Sequence, residues 1–296
     1  ASPRFSFAPS RGKAGSIHMT EADQIRRTRQ PVTTESLFAE LRSLGIQAGE
    51  IVIVHASLSA LGWVNGGPVA VVEALLRAVG PGGTVVMPTQ SAGLTDPETW
   101  EAPPVPHAWL DTIRDTMPAY DPRITPTREM GRIAELFRTW PGALRSEHPS
   151  TSFAALGPLA REITRNHALE DPLGQSSPLG TLYRLAAKVL LIGVDFDRCT
   201  ALHLAEDMAW PERPKTREGA PLTVDGQRRW VWFEVPKLMD TDAFVPVGAS
   251  ALRAGVATAG PLGEGRGIIM EMRRIVDHAV SLWSKKPDGA AGEQGV

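Results

Sequence analysis

The chain has 296 residues, of which 42% are hydrophobic and 22% are charged, a composition that supports a large folded core and excludes disorder along the whole chain. Its 31 Lys and Arg residues nearly balance 33 Asp and Glu residues, so the overall charge gives no reason to expect a nucleic-acid or membrane-surface partner. The single cysteine, Cys199, excludes an internal disulfide and any site built on several cysteines. With no apolar run of transmembrane length and no secretory core, we expect a cytoplasmic protein.

The first residues differ in composition from the rest of the chain. Residues 1–18 combine Ser, Pro, Gly and Arg and contain no acidic residue. We interpret them as an added leader, with Met19 as the natural start. Residues 19–296 are then expected to form a single domain.

Two short apolar segments predict the first buried strands. A helix predicted from Thr34 to Gly45 precedes residues 51–54, a continuous apolar run typical of a strand that is buried on both faces. A helix that opens at Pro68 leads to a second such run, residues 84–87. Strand, helix, strand in this order predicts a parallel sheet and the α/β class.

A long segment without periodicity comes next. Residues 89–128 are rich in Pro, Thr and Asp, and a loop of this length inside a compact protein is usually functional, so we expect a lid or a substrate wall. The alternation of elements then resumes. Helices are predicted over residues 130–139, 158–165, 178–186 and 200–209, and strands over residues 152–156 and 189–194.

The last third of the chain has a different pattern. An Asp-Gly pair at 225–226, between two apolar runs, predicts a β-hairpin over 220–235, inside an antiparallel insertion of about 211–243. A Gly-rich turn region, 260–267, is expected to precede a final amphipathic helix whose apolar stripe begins with Ile269. The expected fold is therefore α/β, with a mostly parallel central sheet flanked by helices and a late antiparallel hairpin.

The most distinct cluster of reactive side chains follows the predicted strand 189–194. His203 and Glu206 stand three residues apart on one helix, so the carboxylate can hold an imidazole proton and raise its basicity. Ligands of α/β sheets bind beyond the carboxyl ends of the strands, where His203 is expected to lie. A structural histidine capped by its neighbour explains the same spacing, and both interpretations stay open.

Other residues allow different chemistry. His55 and His148 follow other strands, and together with His203 and Glu206 they could form a scattered metal site, since His and Glu three residues apart can ligate one ion. Cys199 could be a nucleophile that uses His203 as its base, although a lone buried thiol is the more common case.

The loop after the first strand is rich in small residues. It contains Ser57, Ser59, Gly62, Gly66 and Gly67, and it leads from a strand into a helix. Backbone N–H groups in such a loop can cradle phosphates. A simple tight turn is the alternative.

Several segments together resemble one known family. They are residues 54–62 (VHASLSALG) with 66–68 (GGP), 80–88 (GPGGTVVMP), 141–149 (PGALRSEHP), 152–157 (SFAALG), 171–174 (DPLG) with 177–179 (SPL), and 200–206 (TALHLAE). In this order, from about residue 34 to 284, the chain resembles the aminoglycoside 3-N-acetyltransferases, which are antibiotic N-acetyltransferases.

The resemblance implies a reaction and its catalytic base. The reaction is acetyl transfer from acetyl-CoA, as co-substrate, to the 3-amino group of the 2-deoxystreptamine ring of an aminoglycoside, which gives antibiotic resistance. His203 corresponds to the family's catalytic histidine, supported by an acid from the late antiparallel segment. Glu234 is the nearest match to that acid, one residue out of register, and Val235 and Lys237 stand where relatives carry acids.

The chemistry of acetyl transfer suggests the rest of the site. Glu234 or Glu206 is expected to hold the tautomer of His203, and Thr200 is expected to donate to the thioester oxygen or to hold the pantetheine arm. The Ser57–Gly67 loop is expected to take the coenzyme phosphates. Asp171 and Glu206 are the expected acceptor-binding carboxylates.

The expected partners are two small molecules, the aminoglycoside and acetyl-CoA, without metal, nucleic acid or membrane, and the expected state is a monomer or homodimer. Three functions compete at this point. They are the acetyltransferase, a metal-dependent hydrolase that uses His55, His148, His203 and Glu206, and a non-catalytic relative that binds aminoglycosides or CoA.

Overall fold

A computed structural model describes residues 20–284, so the leader predicted over residues 1–18 lies outside the described residues. The helices of that region are α1 Glu21–Arg27, α2 Thr34–Leu44, α3 Gly67–Val79, α4 Leu110–Thr116, α5 Gly131–Arg138, α6 Ala160–Thr164, α7 Pro178–Arg184, α8 Ala201–Ala209, α9 Phe244–Arg253 and α10 Met272–Trp283. The strands are β1 Ile51–Ala56, β2 Thr84–Pro88, β3 Leu144–Arg145, β4 Phe153–Leu156, β5 Lys188–Ile192, β6 Lys215–Val224, β7 Gln227–Pro236, β8 Ala257–Leu262 and β9 Gly265–Glu271.

The central sheet has seven strands in the order β3-β4-β2-β1-β5-β9-β8. β1 pairs in parallel with β2 on one side and with β5 on the other. β4 and β9 run against their neighbours, so five of the seven strands share one direction. The predicted α/β class with a mostly parallel central sheet is confirmed.

Helices cover both faces of this sheet. Along β1, Ile53 packs into the hydrophobic cluster that contains Leu202 of α8, whereas Val52 and Val54 pack into the cluster that contains Leu75 of α3. This alternation follows from the two-residue period of a strand. Burial on both faces explains why the strand has no polar residue before His55.

The predicted hairpin is present and longer than expected. β6 and β7 pair antiparallel over ten positions as a separate two-stranded sheet. Asp225 and Gly226 both have positive φ, +52° and +73°, the conformation that a two-residue hairpin turn of the right twist requires.

The prediction for residues 260–267 is wrong, because this stretch is a strand pair and not only a turn. β8 and β9 form a tight hairpin that adds two strands to the central sheet beside β5. Ile269 lies in β9, and the last helix begins only at Met272. Pro261 is tolerated because β8 is the edge strand of the sheet.

The long segment predicted over 89–128 contains short helical turns and α4, and it packs against the hairpin. The backbone N–H of Tyr120 donates to the carbonyl of Pro221 in β6 at 2.9 Å. Arg228 of β7 donates to the carbonyl of Met117 at 3.0 Å. The segment is therefore held against the hairpin by these hydrogen bonds.

Candidate active site

His203 lies in the first turn of α8, directly beyond the carboxyl end of β5. Its Nδ1 is 3.2 Å from Oε1 of Glu206, one turn along the same helix face. A carboxylate only accepts hydrogen bonds, so Nδ1 carries the hydrogen and Nε2 is the basic nitrogen. Within residues 20–284, Nε2 has no hydrogen-bond partner. The ring packs edge-on against Phe244 at 4.9 Å.

Glu206 is fully buried, and donors from three segments hold its carboxylate. Besides His203, Arg213 donates from Nη1 to Oε2 at 2.8 Å. The backbone N–H of Met239 lies 3.3 Å from Oε1 and 3.4 Å from Oε2. Because a buried charge is costly unless it is paired and hydrogen-bonded, this set of donors is what allows an ionised carboxylate behind His203.

The same contacts fix the base of the β6-β7 hairpin. Arg213 lies just before β6, and Met239 lies just after β7. Both ends of the hairpin are therefore attached to the carboxylate that orients His203. Arg213 also lies 3.4 Å from the Asp207 carboxylate through Nη2.

His55, at the end of β1, lies near His203. Its ring nitrogens are 3.3 and 3.4 Å from Oγ1 of Thr200. Burial, and then the nearby His203, lowers the pKa of His55 to about 3. His55 is therefore a neutral hydrogen-bonding partner of Thr200 and not a second base.

Asp171 comes close to this group through the 166–176 segment. One of its oxygens, Oδ2, accepts the Ser176 N–H at 2.6 Å, whereas Oδ1 is buried without a partner in the described part of the chain. Burial, and then the neighbouring Asp171, raises the pKa of Asp207. A Cβ at Gly174 would lie 1.9 Å from Asp171 Oδ1, so only glycine fits beside this carboxylate.

The structure does not place Glu234 next to His203. In β7, Phe233 and Val235 are buried, and the alternation of side chains places Glu234 on the exposed face, opposite Arg217 in the strand register. A shift of one residue would exchange the two faces. The hairpin register therefore leaves Glu206 as the acid on the imidazole.

The glycines of the Ser57–Gly67 loop have different surroundings. A Cβ at Gly62 would lie 2.8 Å from the side chains of Thr28 and Glu264. The absence of a side chain at Gly62 therefore allows Thr28 and Glu264 to pack against the loop. Gly66 and Gly67 have positive φ, and a Cβ at Gly67 would meet nothing within 4 Å. The open part of the loop is thus its last residues, where α3 begins.

Ser57 and Ser59 lie at the other end of that loop. Their hydroxyl oxygens are 3.2 Å apart. The backbone N–H of Ser57 donates to the carbonyl of Ile192 at the end of β5 at 2.9 Å, so the start of the loop lies at the same sheet edge as α8.

The residues weighed for other chemistry are deeply buried. His148 has no exposed surface, and burial lowers its pKa to about 4. Its Nδ1 accepts the Thr151 N–H at 3.1 Å, and its ring lies 4.6 Å from that of His167. Burial raises the pKa of Cys199 to about 12, so it stays a thiol. Over residues 20–284 no group of three or more His, Cys, Asp or Glu is placed to hold a metal ion.

Two contributors to the site were missed by the sequence analysis, Arg213 and the Met239 N–H. Arg213 stands in a proline-flanked stretch that has no periodicity, and a backbone N–H has no sequence signature. Neither position has a sequence pattern from which its role in the site could have been predicted.

Comparisons with known proteins all point to one family. A family model described as aminoglycoside 3-N-acetyltransferase matches residues 53–284. The chain is 43% identical to the SPbeta prophage-derived aminoglycoside N(3')-acetyltransferase-like protein YokD of Bacillus subtilis (strain 168), over 86% of this chain and 93% of that protein. It is 35% identical to aminoglycoside N(3)-acetyltransferase VII of Streptomyces paromomycinus, over 90% of this chain and 97% of that protein.

Solved structures agree with the sequence matches. The crystal structure of YokD from Bacillus subtilis aligns with a TM-score of 0.87 and 41% identity, over 90% of this chain and 98% of that chain. A binary complex of AAC-IIIb with CoASH aligns with a TM-score of 0.76 and 31% identity, over 86% and 97% of the two chains. Between residues 20 and 284, no helix has both the length and the apolar character needed to cross a bilayer.

Proposed function

The chain belongs to the aminoglycoside 3-N-acetyltransferase family, as its sequence resemblance indicated, and on that premise we propose that it acetylates the 3-amino group of the 2-deoxystreptamine ring of aminoglycoside antibiotics. Acetyl-CoA is the acetyl donor, and His203 is the general base. In a cell, this acetylation replaces an ammonium of the drug by a neutral amide and gives resistance.

The observation that carries the proposal is the pairing of His203 with Glu206. Nδ1 faces a buried carboxylate at 3.2 Å, which holds the ring in one tautomer and stabilises the imidazolium that forms when the ring takes a proton. Arg213 and the Met239 N–H hold Glu206 in turn, so Arg213 is a positioning residue. The ordered imidazole supplies the one group that this chemistry requires.

The reaction needs few groups because a thioester is already activated. An ammonium is not a nucleophile, so Nε2 of His203 removes a proton from the acceptor amine. The amine nitrogen forms a bond to the acetyl carbon and the carbon–sulfur bond breaks. Of the two protons that the nitrogen loses between ammonium and amide, one becomes available to the departing CoA sulfur and the other is released to water. A positioned base of this kind contributes roughly 10² to 10⁴ in rate.

The donor is proposed to lie along Thr200 and the Ser57–Gly67 loop. Thr200 is 7% exposed and lies beside the neutral His55, so His55 orients the hydroxyl that contacts the thioester or the pantetheine arm. Ser57, Ser59, Gly66 and Gly67 contact the coenzyme phosphates. Gly62 supports the loop through its packing.

The acceptor is proposed to contact Asp171, whose buried Oδ1 has no partner among the described residues. Glu206 is fully buried, with both oxygens in hydrogen bonds, so its role is the orientation of His203. Glu234 has no catalytic part in this account.

Neither rival function is favoured. A metal-dependent hydrolase needs His55, His148 and His203 around one ion, whereas His148 is engaged with Thr151 and Leu169. A non-catalytic relative was considered because acids are absent at 235 and 237. Glu206 supplies the acid on the imidazole, so that reason no longer applies.

We also propose that residues 19–296 act as one catalytic domain, as a monomer or homodimer. Light scattering after size exclusion distinguishes the two states.

The function itself is tested by mixing the protein with acetyl-CoA and a panel of 2-deoxystreptamine aminoglycosides and following the release of CoA thiol. Two-dimensional NMR of the product assigns the acetylated nitrogen. We expect turnover with at least one drug and acetylation at the 3-amino group; no thiol release across the panel, or acetylation elsewhere, contradicts the proposal.

A further inference from the structure

The loop proposed to contact the coenzyme phosphates carries no cation of its own. Between Arg42 and Arg77 the sequence contains no Lys or Arg. Burial, and then the nearby His203, lowers the pKa of His55 to about 3, so this ring is neutral near pH 7. The phosphates of CoA carry about four negative charges at that pH. Any cation for these charges must therefore come from outside the loop.

The stretch of chain just before α2 packs along this loop. The backbone N–H of Trp63 donates to Oγ1 of Thr28 at 2.7 Å. Val32 and Val64 form a parallel bridge. The Val32 N–H donates to the Trp63 carbonyl at 3.1 Å, and the Val32 carbonyl accepts the Asn65 N–H at 2.8 Å. This stretch is thus fixed along the loop by hydrogen bonds to its backbone.

Arg29 lies in the fixed stretch, and Glu264 holds it there. Oε1 of Glu264 accepts the Arg29 N–H at 3.1 Å, and Oε2 lies 3.5 Å from Nε of the Arg29 guanidinium. Glu264 is itself attached to the loop, because its N–H donates to the Leu61 carbonyl at 3.0 Å. The Arg29 side chain stays 87% exposed, so its guanidinium is accessible to a ligand beside the loop.

Arg266, in β9, lies against the start of the loop. A Cβ at the preceding Gly265 would lie 2.5 Å from the carbonyl oxygen of Ala60. The Arg266 carbonyl accepts the N–H of Gly193 at 2.9 Å, and a Cβ at Gly193 would lie 3.5 Å from the carbonyl oxygen of Ser57. The backbone of Arg266 is therefore placed next to two segments that contact the loop directly.

The two arginines have similar surroundings. Nη2 of Arg266 lies 3.3 Å from Asp195, and these side chains are 53% and 47% exposed. Arg29 has its own exposed pairing, with Glu264. Exposed ion pairs of this kind are weak, so a phosphate that approaches from solvent can bind either guanidinium without breaking a buried contact.

We propose that Arg29 and Arg266 bind the phosphates of CoA, approaching the Ser57–Gly67 loop from two neighbouring segments. The inference rests on the proposed function, in which this loop contacts the coenzyme phosphates. The loop supplies backbone N–H groups, and the arginines supply the positive charge. A guanidinium can donate two parallel N–H groups to phosphate oxygens. Both are binding residues, separate from the proton transfer at His203.

The test is calorimetric titration of the full chain with CoA at low and at high salt. The test variants are Arg29→Gln, Arg266→Gln and the double variant, and Arg29→Lys keeps the charge. Arg161→Gln is the matched control, because Arg161 is an exposed arginine of α6, which packs on the face of the sheet opposite Leu61. Thermal unfolding of each variant verifies that it is folded.

We expect each single variant to bind CoA about 5- to 50-fold more weakly at about 50 mM salt, and the double variant to bind it more weakly still. The loss should shrink at about 1 M salt, where the Debye length is ~3 Å and exposed charges are screened. Arg161→Gln should match wild type, and Arg29→Lys should keep part of the affinity. A purely structural effect would weaken binding equally at both salt concentrations.

Three results overturn the inference. They are wild-type affinity for CoA in either single variant, a loss of affinity that is the same at both salt concentrations, and no binding of CoA to wild type. If drugs are acetylated under the first or second result, the proposed function stands without the inference. A salt-dependent loss of CoA binding in both variants, with no acetylation of any drug, would leave the phosphate site and remove the function.

Discussion

Nη1 of Arg213 lies 2.8 Å from Oε2 of Glu206, on the carboxylate whose other oxygen, Oε1, is 3.2 Å from Nδ1 of His203. A cation that precedes β6 is thus connected through one buried carboxylate to the proposed base on α8. The hairpin and the base are held by the same group, so a movement of the hairpin base would disturb the orientation of the imidazole.

This connection makes Arg213 the first residue to test. Arg213→Met should lower kcat about 10- to 100-fold with little change in the KM for acetyl-CoA, because a buried carboxylate that loses its cation no longer fixes the imidazole. Arg213→Lys should recover part of the rate, since it restores the charge. Steady-state kinetics of both variants give the comparison, with Arg229→Met, an exposed arginine of β7, as the control. Equal loss in Arg213→Met and Arg229→Met would show that Arg213 has no special part in positioning.

The two candidate acids can be ranked directly. Glu206→Gln should lower kcat by about 10- to 100-fold, because the amide cannot stabilise the imidazolium as a carboxylate does. Glu234→Gln should stay within about 2-fold of wild type, because Glu234 is exposed and its strand register points it away from His203. Initial rates at saturating substrates decide the order. A larger effect at Glu234 would place the partner of His203 on the hairpin.

Cys199 should be dispensable. Burial raises the pKa of its thiol to about 12, so it offers almost no thiolate near pH 7 for an acetyl-enzyme. Cys199→Ser should keep turnover within a few-fold, and initial-rate plots against both substrates should intersect. Parallel lines, or an acetylated enzyme found by mass spectrometry without any acceptor present, would show a covalent route instead.

Glu218 should make the stability of the protein depend on pH. Its pKa of about 7 in the folded state is above the ordinary value of an unfolded Glu, ~4.3. Folding stability from this group is therefore present below about pH 4.3 and is lost as the pH rises through 7. Glutamine does not ionise, so Glu218→Gln should gain on wild type as the pH rises, by about 1–3 kcal/mol in the free energy of unfolding at pH 8. Urea unfolding at pH 5 and pH 8 measures the gain. A difference between the two proteins that does not change with pH would mean that Glu218 is not a titrating buried acid.

Much of the fold could be predicted because buried parallel strands carry a strong local signal. The runs 51–54 and 84–87 are apolar throughout, since both faces of those strands are covered, and Asp225-Gly226 specifies a two-residue turn. The β8-β9 pair was missed because its sequence contains Gly and Pro and few β-branched residues. Its stability comes from pairing with β5, and a contact between distant parts of the chain has no local signature.

The part of the site that lies within one helix could be predicted from the sequence. His203 and Glu206 lie on one helix, so their spacing alone predicted the contact. Arg213 and Met239 reach the carboxylate through the path of the chain around the hairpin, which spacing cannot supply. The family resemblance suggested Glu234 as the acid. Successive side chains of a strand lie on opposite faces, and the register of β7 places Glu234 on the exposed face.

The most direct test of the account is the turnover of His203→Ala with acetyl-CoA and the best acceptor of the panel, measured beside the affinity of the variant for CoA. We predict that turnover falls by roughly two to four orders of magnitude while the dissociation constant for CoA changes by less than about 3-fold, because a general base acts in the transition state and not in coenzyme binding. Turnover within a few-fold of wild type would contradict the assignment of His203 as the base.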